Sequence, residues 1–323
     1  MITADELAEA GRAVYAAMGP TLARAWPLLA EATGAAEVWV KHENHTPTGA
    51  FKVRGGLSLL ARLAASGRRP RGLITATRGN HGQSIPFAAA LHGIPVTVVV
   101  PHGNSAEKNA AMRALGARLI EHGENFDAAR QYAEELAEAE GLEMVPSFSV
   151  ELVAGVATAA REFLAAAGEL DAVYVPIGMG SGICAMIAVR DMLGHATEVI
   201  GVVAEGAPAY LKSFQAGRPV SAPVATFADG LAVGEPHPEA VGVINAGAAR
   251  IVAVSDEEIA EAVRLLWRAT HNLAEGAGAA ALAAILRERD RLVGRRVGFV
   301  LTGGNLDTAL AARLLAGETP QPF

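Results

Sequence analysis

Short apolar runs rich in β-branched residues recur along the chain. Between them lie longer stretches whose apolar positions return every three or four residues. The runs Val38–Lys41, Gly72–Thr75, Val96–Val100, Arg118–Glu121, Ala172–Pro176, Val199–Val203, Ile251–Val254 and Val297–Leu301 read as strands. Gly82–Leu91, Ala106–Leu115, Phe126–Ala139 and Asp256–Thr270 read as helices. Near-continuously apolar strands alternating with helices predict an α/β fold with parallel sheets covered on both faces. Ser255 followed by Glu258 has the capping-box spacing and opens the helix after Val254. The segment Ala216–Thr226, rich in Pro and Ala, reads as a surface loop. No internal repeat or low-complexity linker interrupts the pattern.

Composition narrows the picture. The chain has 323 residues, which suits one large α/β domain or two interlocked ones. Hydrophobic residues make up 51% and charged residues 19%, which argues for a substantial core and against global disorder. A net charge of -7 offers no footprint for nucleic acid or an anionic membrane. Cys184 is the only cysteine, so an intramolecular disulfide is excluded. The start, MITADELAEAGRAVYAAM, is acidic and amphipathic and lacks the basic, then apolar, build of a signal peptide. Ala154–Ala167 and Ala274–Leu286 are too short and too interrupted by charge to span a bilayer. The expectation is a cytoplasmic protein with no membrane and no nucleic-acid partner. The last predicted helix lies close to Phe323, so no appended regulatory domain is expected.

Four turns carry candidate chemistry. Thr46–Gly56 (TPTGAFKVRGG) leads from a strand into a helix with Lys52 in its first turn. Lysine can form a Schiff base with an aldehyde cofactor. Only Lys41, Lys52, Lys108 and Lys212 are available. Alone, Lys52 is better read as a solvated helix-end cation. Its neighbours Pro47, Gly49 and Gly55 set an unusual backbone, and Phe51 puts a flat face beside the amine. Thr75–Ser84 (TATRGNHGQS) and Val175–Cys184 (VPIGMGSGIC) are both glycine-bearing strand-to-helix turns, whose free N–H groups bind anions. Either could instead be an ordinary tight turn, the first with Asn80 as helix cap. GMGSG matches neither a Walker loop nor the G-x-G-x-x-G register. Leu301–Asp307 (LTGGNLD) lies at the C-terminal end of the last strand, where open α/β sheets bind ligands. In isolation it is better read as a plain Gly-Gly turn closing the strand.

Taken in order, with ADGLAV (Ala228–Val233) and EGAGAAALAA (Glu275–Ala284), these turns resemble the serine/threonine dehydratase family of fold-type II pyridoxal phosphate enzymes. The resemblance covers nearly the whole chain. It implies two open, twisted, mostly parallel sheets flanked by helices. Residues 1–72 and 151–323 would form a large cofactor-binding domain, and 73–150 a small mobile one. The cofactor would be pyridoxal 5'-phosphate, held by Lys52 as a Schiff base. Phe51 would pack on its ring, Asn80 would bond its hydroxyl, and Gly178, Met179, Gly180, Ser181 and Gly182 would surround its phosphate. Thr302 would meet the pyridine nitrogen, and that neutral hydroxyl would favour elimination. Thr77, Arg78, Gly79, Asn80 and His81 would receive the substrate. The implied reaction is β-elimination from threonine, serine or 3-hydroxyaspartate, giving a 2-oxo acid and ammonia. A homodimer is the family expectation.

Departures from the family pattern qualify this. Arg78 stands where a small serine is usual and where serine racemases place an acid/base group. A guanidinium is a poor proton shuttle, so weak or no racemisation is expected. It could bind a second substrate carboxylate, or point outward. Serine racemases hold a divalent cation near Glu205–Leu211. Leu211 replaces the second acid there, so no metal is expected, although Glu205 is present. Val156-Ala157-Thr158 replaces Gln-Gly-Thr. Competing readings are a racemase or a β-replacement enzyme on the same cofactor, a nicotinamide-dependent oxidoreductase, and a non-catalytic binding protein.

Overall fold

The computed structural model describes residues 2–322. Among the described residues ten strands form two sheets. The larger takes β1 (Ala23–Ala25), β2 (Glu37–His42), β7 (Ala172–Pro176), β8 (Glu198–Ala204), β9 (Arg250–Val254) and β10 (Arg296–Leu301). Their spatial order is β1-β2-β10-β7-β8-β9. All neighbours are parallel except β1, which pairs antiparallel with β2 at one edge. The smaller, fully parallel sheet takes β3 (Leu73–Ala76), β4 (Val96–Val100), β5 (Arg118–Glu121) and β6 (Glu143–Met144), in the order β5-β4-β3-β6.

The apolar runs are strands because helices cover both their faces. Every residue of β4 and of β7 is buried. Each fully buried Val or Ile contributes about 1.5–3 kcal/mol of hydrophobic stabilisation. The helix Val150–Ala167 crosses against the helix Lys52–Ala65 so closely that a Cβ on Gly155 would lie 2.1 Å from the Arg54 carbonyl oxygen. The helix Asp256–Thr270 opens on the expected capping box: Ser255 Oγ accepts from Glu258 N, and Glu258 Oε2 accepts from Ser255 N. The segment after Ala216 is a loop up to Thr226.

Some boundaries differ from the sequence reading. The helix expected from Gly82 spans Asn80–Ala90, and its cap position is Gly79 instead of Asn80. Asn80 is free to turn its side chain away from the helix because the backbone of Gly79 makes the entry. The short β1 and β6 had no hydrophobic signal of their own; each is held by its neighbour strand. No helix among the described residues is long and apolar enough to cross a membrane.

Parallel order places the C-terminal ends of β2, β10, β7 and β3 around one cleft. The turns that follow these strands are the four singled out by sequence.

Candidate active site

The turn before Lys52 is locked locally. Thr46 Oγ1 donates to Ala50 O at 2.8 Å and accepts from Ala50 N at 2.9 Å. Gly49 adopts φ +69°, which a residue with a Cβ would strain to reach. The turn after β10 clamps it: Phe51 N donates to Thr302 O, and Gly304 N to Gly49 O, both at 2.9 Å. Lys52 thereby opens the helix Lys52–Ala65 with its Nζ 5.6 Å from the Phe51 ring centre. Burial pushes this amine down to about 8, against the opposing pull of Glu275. His81 lies within its field. Burial, then the Lys52 charge, drives this imidazole down to about 3. Its Nε2 is buried without a hydrogen-bond partner.

Across the cleft, β7 runs through Ile177–Gly180 into the helix Ser181–Leu193. Gly180 takes φ +99° at the helix cap with no side-chain bond to the helix start. The first N–H groups of a helix have no partner within it, so they point into the cleft mouth as an anion cup. A Cβ on Gly178 would lie 2.3 Å from the Gly230 carbonyl oxygen. Tyr210 fastens the cup: its hydroxyl donates to Met179 O at 2.8 Å and accepts from His237 N at 3.1 Å.

Asn80 connects the two sides. Its Nδ2 donates to Glu275 Oε1 at 2.7 Å, and its Oδ1 accepts from Asn305 Nδ2 at 2.8 Å. Asn305 Nδ2 also donates to Thr48 O at 2.8 Å. The carboxamide therefore has one orientation. Glu275 is buried, and its Oε2 has no partner. Burial raises its carboxyl to about 7, with the Lys108 charge opposing.

The resulting cleft is lined by Phe51, Lys52, Asn80, Gly178, Met179, Gly180, Ser181, Gly182 and Thr302, together with Gly230, Leu231 and Glu275. Every position expected to hold the cofactor is thus brought together. Thr77, Arg78 and Gly79 sit on the turn from β3 to the helix that Asn80 opens, and His81 is that helix's second residue; among these five positions only Asn80 lines the cleft. Thr77 Oγ1 accepts from Gly79 N at 3.1 Å, tightening the turn. Arg78 is half-buried. Glu205 pairs with Arg287 at 2.7 Å on an exposed surface, and Leu211 packs against the core.

Sequence reasoning did not assign roles to Glu275, Asn305 or Tyr210. Glu275 opens the EGAGAAALAA segment, whose match pointed to it without a function. Tyr210 and Asn305 had no local signal. Thr158, the retained residue of the altered Val156-Ala157-Thr158 triplet, accepts from Arg54 Nη1 at 2.9 Å.

This cleft suits pyridoxal phosphate. It offers an amine for the aldehyde, a helix-start cup for the phosphate, and a buried polar atom, Glu275 Oε2, that lacks a protein partner. The fold and site define an enzyme that works through this cofactor. A family model described as pyridoxal-phosphate dependent enzyme matches residues 14–303, and the chain belongs to that family, in its serine/threonine dehydratase branch. It is 34% identical to an L-threonine ammonia-lyase of Thermotoga maritima over 317 residues, 98% of this chain and 78% of the relative. It is 33% identical to an L-threo-3-hydroxyaspartate ammonia-lyase of Pseudomonas sp, covering 89% of this chain and 90% of the relative. Among solved structures it is similar to a T.th. threonine deaminase, with a TM-score of 0.88, 31% identity and coverage of 95% of this chain and 99% of the other.

Proposed function

We propose that this enzyme eliminates water from a β-hydroxy amino acid, threonine, serine or 3-hydroxyaspartate, and that the released enamine takes water back as it loses ammonia, yielding a 2-oxo acid. The observation that carries this reading is that Lys52 and a neutral hydroxyl, Thr302, line one cleft together. Pyridoxal phosphate, when bound, supplies the aldehyde that takes up amines and the electron sink for the breaking Cα–H bond.

Lys52 holds the cofactor through its ε-amine, and the Phe51 ring packs beside it. The Lys52 amine, when free, would accept the substrate's α-proton. A value near 8 lets a useful fraction be neutral at physiological pH. Gly178–Gly182 hold the phosphate through backbone N–H groups, with Ser181 adding a hydroxyl. Asn80, fixed by Glu275 and Asn305, donates to the ring hydroxyl. Thr302 would meet the pyridine nitrogen and, being neutral, would not hold a proton there, which would favour prompt loss of the β-substituent. Thr77–His81 grip the substrate's α-carboxylate. Arg78 cannot shuttle a proton, which speaks against racemisation. Closure of 73–150 over the cleft excludes water. A homodimer and a cytoplasmic location belong to the same proposal, on the family resemblance and the single cysteine.

The test is release of 2-oxo acid by the holoenzyme from serine, threonine, 3-hydroxyaspartate and phenylserine. Release from at least one of the first three is expected. Racemisation without 2-oxo acid would contradict the reading. Arg78→Ala should impair 3-hydroxyaspartate selectively if the guanidinium binds a second carboxylate; equal loss on serine would remove that idea.

A further inference from the structure

Lys108 is a second amine at the cleft. It comes from the helix Ala106–Ala114, on the side of the smaller sheet. Its Nζ donates to Asp229 on the side of the larger one. Its stem runs across the turn after β3: a Cβ on Gly79 would lie 3.2 Å from Lys108 Cδ and 3.6 Å from its Nζ. Asp229 precedes Gly230, which lines the cleft and packs its carbonyl against Gly178. The Lys108–Asp229 bridge therefore spans the mouth, from the turn after β3 to the anion cup. Both side chains are largely enclosed, with 11% and 17% exposure. A largely desolvated ammonium needs an anionic partner, and Asp229 serves as one here. An entering carboxylate offers the same chemistry.

We propose that Lys108 is a substrate-binding residue whose ammonium exchanges Asp229 for the α-carboxylate of the incoming amino acid. Asp229 is then a built-in competitor for the cation. It gives the empty mouth a paired charge, and substrate binding opens the bridge. This rests on the reading of Thr77–His81 as the carboxylate turn, since that turn puts the carboxylate next to Lys108. Two substitutions at one salt bridge should then act in opposite directions. Removing the ammonium weakens the substrate's grip, whereas neutralising Asp229 frees the ammonium and strengthens it. A bridge that merely braces the two sides would respond to both substitutions alike.

The experiment titrates holoenzyme with glycine, which has no β-substituent to lose, and with glycinamide, which lacks the carboxylate. The readout is the change in visible absorbance as the amine exchanges with Lys52, referred to free amine concentration. Wild-type protein should bind glycine at least tenfold tighter than glycinamide. Lys108→Gln should weaken glycine at least fivefold and leave glycinamide unchanged, and Asp229→Asn should tighten glycine at least threefold. Thermal melting of each apoenzyme checks folding, and Asp229→Asn alone decides the sign if Lys108→Gln is unstable. Equal weakening by both variants, or no change in either, overturns the exchange while leaving the carboxylate turn intact. Glycinamide bound as tightly as glycine by the wild type overturns both.

Discussion

Lys52 and Arg54 are two residues apart on one helix, yet they anchor buried charge clusters of opposite kind. Around Arg54 every donor is used. Nε and Nη2 donate to Glu43 at 2.7 and 3.0 Å, Nη1 and Nη2 to Glu162 at 2.6 and 2.9 Å, and Nη1 also to Thr158. Lys41 adds bonds to Glu162 at 2.5 Å and to Thr21 O at 2.8 Å. Burial works against the Glu162 carboxylate, but its bonds to Arg54 and Lys41 hold it below the usual range. The Lys41 amine also falls below its ordinary value, because burial outweighs its partners. Around Lys52 the burial is similar, but polar atoms are left without partners and the amine and the Glu275 carboxyl are pushed toward neutrality. A satisfied cluster holds the helix; the unsatisfied one beside it is prepared for a ligand. Burial thus goes with stability in one place and reactivity in the other, and hydrogen-bond satisfaction separates them.

The sharpest break of this contrast is Lys52→Ala. Turnover should fall by about 10⁴-fold or more, the upper end of what a general base supplies, while the apoenzyme melts no lower at pH 7. A large loss of apoenzyme stability would make Lys52 structural. Next is Arg54→Met, which strands two buried carboxylates. Urea denaturation should show a loss of about 3–5 kcal/mol; a loss near zero would mean the cluster does not hold the helix.

One substitution type, Glu to Gln, should have opposite signs in the two clusters. Glu275 is raised from 4.5 to about 7. The folded protein binds the extra proton between those values, so this contribution is present below 4.5 and lost as pH rises through 7. Apoenzyme with Glu275→Gln should therefore melt roughly 2–4 °C higher than wild type at pH 8 and equal it near pH 4.5. Glu162 is lowered, so its contribution is present above 4.5 and lost as pH falls through its depressed value. Glu162→Gln should melt lower at pH 8, with the gap closing in acid. Shifts of the same sign would erase the comparison. The smallest effect is at the rim, where the Tyr15 hydroxyl donates to Glu162 at 2.8 Å. Tyr15→Phe should cost about 0.5–1.5 kcal/mol in urea.

The contrast also explains what could be read from sequence. Lys52, Asn80, Gly178–Gly182 and Thr302 could be singled out because each lies on a glycine-bearing turn at a strand end; singly each read as an ordinary turn or a solvated charge, and only their ordered set carried the resemblance. Glu275 was not, since a glutamate before an alanine-rich helix looks like a first-turn charge until folding buries it against Asn80. Lys108 and Asp229 acquire meaning only from each other, 121 positions apart. Arg54 was equally silent: nothing beside it in sequence announces that Glu43 and Glu162 will enclose it. The α/β alternation and parallel sheets followed from the apolar runs, whereas the edge strands β1 and β6 depend on pairing that no local pattern encodes.

The central claim is that Lys52 is the residue that bears the cofactor. Borohydride reduction of the holoenzyme, followed by digestion and peptide mass analysis, tests it against only three other lysines. The account predicts loss of the visible absorbance and a cofactor-sized mass gain on the peptide containing Lys52. The same gain on a peptide containing Lys41, Lys108 or Lys212, with Lys52 unmodified, would contradict it.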